Sequence, residues 1–204
     1  SIGGIAAVAA STSTGETRAS AIDGGEGDDR IDNSGNLDVV SDATAVTVNV
    51  AISGGVAGSL DSIWDGGTTA NAVAAGLQGG AGDDRVTSST GVRNDVLARA
   101  ATGSIGVASG GGFGVSLTSS TANATAAGID AGDGSDRGAN ASDIRSAAEA
   151  TATSLSVALS AAGVAVAGNA TWDGGTTANA AASGIALGSG DDEAANTGTV
   201  AAVA

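Results

Sequence analysis

From Ala43 to Ser53 the chain alternates: Val46, Val48, Val50 and Ile52 take turns with Thr47, Asn49 and Ala51. A period of two over this length predicts a β-strand with one face buried. Gly54-Gly55 then predicts a turn and Val56 to Trp64 a returning strand. Asp65-Gly66-Gly67 interrupts that strand, and Thr68 to Leu77 completes the pass. The plan recurs downstream. Ile105 and Val107 precede Gly110-Gly111-Gly112, and Phe113, Val115 and Leu117 follow. Leu155, Val157 and Leu159 precede Ala162-Gly163, and Val164 and Val166 follow. Upstream, Gly3-Gly4 marks a turn before a short strand at Ile5 to Ala10, and Asn33-Ser34-Gly35-Asn36 marks another turn. Ser146 to Thr153 is Ala-rich and helical by propensity alone. Its sister segments are rich in Thr and Val, which predicts strand there too.

Self-similarity at a fixed period explains the recurrence. An acidic Gly-rich stretch returns four times: GGEGDDRID at Gly24 to Asp32, GGAGDDRVT at Gly79 to Thr87, AGDGSDRGA at Ala131 to Ala139, and LGSGDDEAA at Leu187 to Ala195. Its sixth-position carboxylates, Asp29, Asp84, Asp136 and Asp192, are spaced by 55, 52 and 56 residues. WDGGTTANA occurs identically at Trp64 to Ala72 and Trp172 to Ala180, 108 residues apart, so alternate units are the more alike. The chain reads as one array over residues 1–204: a partial unit 1–21, units of about 22–76, 77–128 and 129–184, and a partial unit 185–204. Both ends match the interior of a unit, as expected of an excerpt from a longer array. A unit that cannot bury its own face, repeated in tandem with strand periodicity, predicts an all-β fold: a β-solenoid, akin to a parallel β-helix or β-roll.

Composition narrows the core. One Phe, two Trp, no Tyr and no Met leave little bulky material, and the 42% hydrophobic content is mostly Ala and Val. Such a core is thin. Thirty-five Gly fit many recurring tight turns. Without Cys there is no disulfide or thiolate site, and without His the commonest general base and transition-metal ligand is missing. Seven Arg against 22 acidic residues give a net charge of −15. That field repels phosphate backbones, which argues against nucleic acid, and accumulates divalent cations. The longest apolar stretch, Ala161 to Gly168, is too short to span a bilayer.

The first two acidic stretches fit GGxGxDxUx, where U is a large aliphatic residue, and resemble the calcium-binding nonapeptide of the RTX family. Ca²⁺ wants six to eight oxygens, which carboxylates and inward-curled backbone carbonyls supply. The resemblance implies that the sixth-position Asp29, Asp84, Asp136 and Asp192 bind metal together with main-chain carbonyls of adjacent turns. It also implies that the eighth-position Ile31, Val86, Gly138 and Ala194 face the core. Asp28, Asp83, Asp133 and Asp191 complete the candidate metal ligands, with Asp133 and Asp191 as substitutes in the two degraded copies. The family runs its nonapeptides back to back, whereas here each unit of about 54 residues has one, so its coil geometry does not carry over.

Two geometries fit the period: three coils of about 18 residues per unit, or one wide rung roughly 65 Å across. The wide rung is favoured, because it stacks identical acidic turns one strand spacing apart, where a cation fits between neighbours. Three coils would separate them by roughly 14 Å. In a stacked array Arg30, Arg85 and Arg137 form an exposed column that Glu193 breaks, either offsetting the carboxylates or docking an acidic partner.

These readings favour a structural role: a calcium-stabilised segment of a secreted or cell-surface repeat protein, such as an adhesin stalk, filament or sheath. Its partners are then neighbouring repeats, end-to-end copies of itself, or a polysaccharide or cell surface. The alternative is a module that binds glycan or ice through outward Thr, Asn and Trp64 or Trp172. Asn123, Asn140 and Asn169 head glycosylation sequons of a kind common by chance in such a chain. Catalysis is disfavoured. Only carboxylate pairs are available, and Asp28/Asp29 and Asp83/Asp84 are repeated identically, unlike an active site.

Overall fold

The computed structural model describes residues 6–61, 67–109, 112–169 and 175–204. Among them the regular structure is all β, in four parallel four-stranded sheets. We name the sheets by their place in the repeat. The tip sheet holds β1 (Ala6–Ser11), β5 (Val56–Asp61), β9 (Phe113–Thr118) and β13 (Val164–Asn169). The return sheet holds β2 (Thr14–Glu26), β6 (Thr68–Ala81), β10 (Ser120–Asp133) and β14 (Thr176–Ala186). The corner sheet holds β3 (Arg30–Asn33), β7 (Arg85–Ser88), β11 (Arg137–Asn140) and β15 (Glu193–Asn196). The long sheet holds β4 (Leu37–Ser53), β8 (Val92–Ala108), β12 (Ile144–Ser160) and β16 (Val200–Val203).

The register decides between the two geometries. Leu37 pairs with Val92, Val92 with Ile144, and Ile144 with Val200. Each strand thus lies beside its counterpart one whole repeat later, and one unit makes one rung. Three coils per unit would pair strands about a third of a repeat apart. The Ala-rich Ser146 to Thr153 lies inside β12, as its sister segments require.

Within a rung the chain runs along the return sheet, through the acidic turn into the corner sheet, back along the long sheet, and around the glycine turn into the tip sheet. The long sheet packs against the return sheet over one half of its length and the tip sheet over the other. Three clusters fill the gap. Where the corner sheet spreads the layers, Ile31, Leu77, Val86, Val92, Ile129 and Ile144 form an aliphatic wedge. Beyond it the layers close onto alanines, among them Ala43, Ala45, Ala72, Ala98 and Ala124. At the far end, among the described residues, Ala51, Ala57 and Ala108 form a small cluster with Ala9 packed against it.

The alternation in β4 is confirmed, but the small set is the buried one. Ala45, Thr47, Asn49, Ala51 and Ser53 face inward, while Val46, Val48, Val50 and Ile52 face solvent, Val48 at 67% and Ile52 at 68% exposure. The reason is the spacing of the layers. Ser59 Oγ meets Ser104 Oγ at 2.8 Å and Thr68 Oγ1 donates to Thr47 Oγ1 at 2.7 Å, each pair from opposite layers. Hydroxyls hydrogen-bond across the gap, so this face takes small and polar side chains, none larger here than Thr47, Asn49 and Thr68. Gly76 and Gly128 serve the same closeness at the wedge, where an added Cβ would overlap Val92 Cγ1 and Ile144 Cγ2.

Candidate metal centre at the acidic turns

Each acidic turn joins the return sheet to the corner sheet, and its shape follows from its glycines. The second and fourth positions have positive φ in every copy: Gly25 and Gly27 at 97° and 109°, Gly80 and Gly82 at 117° and 135°, Gly132 and Gly134 at 101° and 151°, Gly188 and Gly190 at 84° and 143°. Residues with a Cβ rarely adopt this region. These two positions survive in the degraded copies because the turn cannot form without them.

The first-position glycine has a different task. A Cβ on Gly24 would lie 2.5 Å from the carbonyl oxygen of Gly79 and 2.9 Å from Asp29 Oδ2. A Cβ on Gly79 would lie 2.6 Å from Asp84 Oδ2 and overlap the carbonyl oxygen of Ala131. So the sixth-position carboxylate folds back over its own first-position glycine. There one of its oxygens and a carbonyl of the next rung approach the same cleared spot.

The other carboxylate oxygen ties the rungs together. Asp84 Oδ1 accepts from the Asp29 N–H at 2.7 Å, Asp136 Oδ1 from the Asp84 N–H at 2.8 Å, and Asp192 Oδ1 from the Asp136 N–H at 2.9 Å. The fifth-position column runs in the opposite sense. Asp28 Oδ1 accepts from the Asp83 N–H at 3.0 Å and Asp83 Oδ1 from the Ser135 N–H at 2.9 Å. Asp133 Oδ1, at the third position, accepts from Ser189 Oγ at 2.7 Å, and Asp191 is exposed. Asp29, Asp84, Asp136 and Asp192 are therefore brought into one column. Asp28 and Asp83 flank it on the solvent side.

What is left over is a column of unpartnered oxygens. Oδ2 of Asp29, Asp84 and Asp136 is buried and accepts no hydrogen bond. Asp84 is 2% exposed and Asp136 1%. Burial, reinforced by repulsion from Asp136, Asp29 and Asp28, pushes the Asp84 pKa above the ordinary aspartate value, with the Asp29 N–H pulling the other way. Burial and the nearby Asp133 carboxylate likewise raise that of Asp130. A buried carboxylate oxygen with no donor is costly, and a hard cation held by that oxygen and the adjacent carbonyl would relieve it. At Gly24 and Gly79 both oxygens are of the hard kind that Ca²⁺ takes, two of the six to eight it needs. Ala131 and Leu187 stand in the equivalent places at the third and fourth turns, so these two turns carry a Cβ where Gly24 and Gly79 have none. Among the described residues no three acidic side chains cluster as a metal-holding group, so main-chain carbonyls would supply most of the shell.

The eighth position faces the core at Ile31 and Val86, which sit in the wedge, whereas Ala194 on the outermost corner strand is exposed, contrary to the expectation. Gly138 breaks the pattern and leaves a gap. Leu187 Cδ2 fills it, 2.9 Å from where a Gly138 Cβ would stand. The two departures, Gly138 and Leu187, are thus one compensated exchange. The arginine column is in register, Arg30 beside Arg85 beside Arg137 beside Glu193. Arg137 Nε reaches Glu193 Oε2 at 3.4 Å, and Arg30 Nε reaches Asp32 Oδ2 at 2.7 Å. Both pairs are exposed, which supports the charge-offset reading and adds little stability.

The turn at Asn33 was expected, but the ladders that the asparagines build were not. At the turn after the corner strand, Asn33, Asn140 and Asn196 each accept from the N–H two residues on, while Asn140 Nδ2 donates to Asn196 Oδ1 at 2.8 Å. In the return sheet Asn71, Asn123 and Asn179 form a ladder with 2.8 Å steps. Their recurrence at one phase of the repeat was the available signal. Trp64 and Trp172 lie outside the described residues. No helix of the described residues is long and apolar enough to cross a membrane. Compared with protein-family models, curated proteins and solved structures, the chain gives no match.

Proposed function

We propose that the chain is a calcium-stabilised structural segment of a secreted or cell-surface repeat protein, built as a β-solenoid with one wide rung per repeat. The observation that carries this reading is the column of buried, unpartnered Oδ2 atoms on Asp29, Asp84 and Asp136. Like charges stacked one rung apart repel, and no donor among the described residues reaches those oxygens. Ca²⁺ between rungs turns the same column into a seam. Asp29, Asp84, Asp136 and Asp192 hold the ion with carbonyls of adjacent turns, and Asp28, Asp83, Asp133 and Asp191 add outer charge. The sites at Gly24 and Gly79 are the stronger ones.

Calcium bound only to the folded state stabilises it by mass action, about 2.7 kcal/mol per site at 100 times Kd. A low-calcium compartment then leaves the array weak, and the millimolar calcium outside a cell consolidates it. The outermost strands present unpaired backbone groups, onto which further repeats or further copies add end to end, giving a stalk, filament or sheath.

The test is a thermal melt followed by circular dichroism, first in millimolar calcium and then in EGTA, with magnesium as control. A calcium-specific rise in Tm of several degrees is the expected result. Identical melts in calcium and EGTA would sink the reading and reduce the acidic stretches to ordinary turns.

A further inference from the structure

The half of each rung farthest from the acidic turns is built inside out. On the long sheet the outward residues Val46, Val48, Val50, Ile52, Leu155 and Leu159 are between 49% and 68% exposed. The tip sheet behind them is apolar outward as well, with Phe113 at 57%, Val164 at 50% and Val166 at 49%. The inward positions between these faces hold Ala, Ser, Thr, Asn and Gly. In β8, between β4 and β12, the same outward face of the long sheet carries Ala101, Gly103, Ile105 and Val107, Ile105 at 37% exposure. An uncharged, largely aliphatic surface across three rungs marks a site of association.

Charge is segregated along the same axis. None of the chain's 22 acidic and 7 basic residues falls between Asp42 and Asp61, between Arg99 and Asp130, or between Glu149 and Asp173. On the outward face of the long sheet Asp38, Asp42, Arg93, Asp95, Arg99 and Glu149 lie on the acidic-turn side, interspersed with Val40 and Leu97, and from Val46 onward the face carries no charge.

We propose that the tip half of the long sheet is a lateral docking surface for a second copy of this chain. Net charge of −15 keeps copies apart wherever acidic turns face each other. The uncharged half is where they meet without that repulsion. A two-fold axis parallel to the stacking direction lays one long-sheet tip on another and sends the two columns of acidic turns to opposite edges. Aliphatic rows on facing sheets interdigitate at the usual spacing of about 10 Å. Lipid is the less favoured occupant. The rows from Val46 to Ile52 cover seven residues, about 23 Å, against about 30 Å of hydrocarbon in a bilayer. This pairing is side to side and independent of end-to-end growth.

Sedimentation velocity on the chain in calcium tests it, with circular dichroism reporting the β content. The expected result is a species of twice 18.7 kDa that is lost in Val48→Lys/Leu155→Lys and kept in Thr44→Lys. Because the chain has no Cys, a spin label at Val50→Cys reports the contact without disturbing the interior. It should show dipolar broadening between copies, and a label at Asp38→Cys should show none. The label decides the matter if the double lysine variant fails to fold. A monomer at all concentrations, with no broadening of the Val50→Cys label, overturns the proposal, as does a monomer that floats with phosphatidylcholine vesicles. Elongated assemblies indifferent to both lysines also overturn it, and they leave end-to-end stacking standing.

Discussion

Asp84 carries two opposed duties with its two oxygens. One caps the Asp29 N–H, which needs a carboxylate or its neutral isostere; the other has no partner. Its folded-state pKa lies above the ordinary value. The stability this shift contributes is fully present below the unfolded-state pKa and is lost as pH rises through the folded one. In EGTA, urea unfolding should therefore show stability falling as pH rises across the acidic range. Saturating calcium should reverse that slope, since the ion competes with the proton for the same oxygen. A flat profile in EGTA would show that Asp84 is not strained. Ala131 offers the complementary gain-of-function test. Ala131→Gly removes the Cβ at the third turn and restores the arrangement of Gly24 and Gly79. It should cost about 0.5–1 kcal/mol in EGTA and enlarge the calcium-induced rise in Tm. Titration calorimetry with calcium should show added binding; unchanged binding would remove the first-position glycine from the site.

The strands teach where alternation informs and where it does not. Val46 through Ile52 announce a period of two, and β4 is a strand. The period does not say which set turns inward. Burying the larger set is the usual choice, yet the layers here lie close enough for Ser59 to reach Ser104 and Thr68 to reach Thr47 by hydrogen bonds, which selects the smaller, polar set. That gap is set by partners in other strands, which no single segment records. Placement of the acidic turns was legible because Gly25 and Gly27 have no substitute at positive φ. The pairing of Gly138 with Leu187 was not, since it spans 49 residues and joins two neighbouring rungs. The inversion is testable by a matched pair of variants. Ala51→Leu, inward and 3% exposed, should cost about 1–3 kcal/mol by overpacking. Val48→Thr, outward, should change stability by no more than about 0.5 kcal/mol. Chemical denaturation measures both, and the reverse ranking would contradict the buried face described above.

At the scale of the molecule, the array has two unlike edges. One carries the acidic turns, the arginine column and the asparagine turns over an aliphatic wedge. The other is uncharged, thin and aliphatic outside. The repeat length that creates this asymmetry also fixes how the array yields to a pull. Each rung is held to the next by ladders along nearly its whole width, yet to its own continuation by a single crossing of backbone. Tension along the stack therefore strips rungs one at a time rather than stretching them together. Every release frees the 52–56 residues that separate paired strands, roughly 170–200 Å of slack chain. An array of this kind would lengthen under load in large, evenly sized increments, and ions seated between rungs would set the force at which each increment lets go.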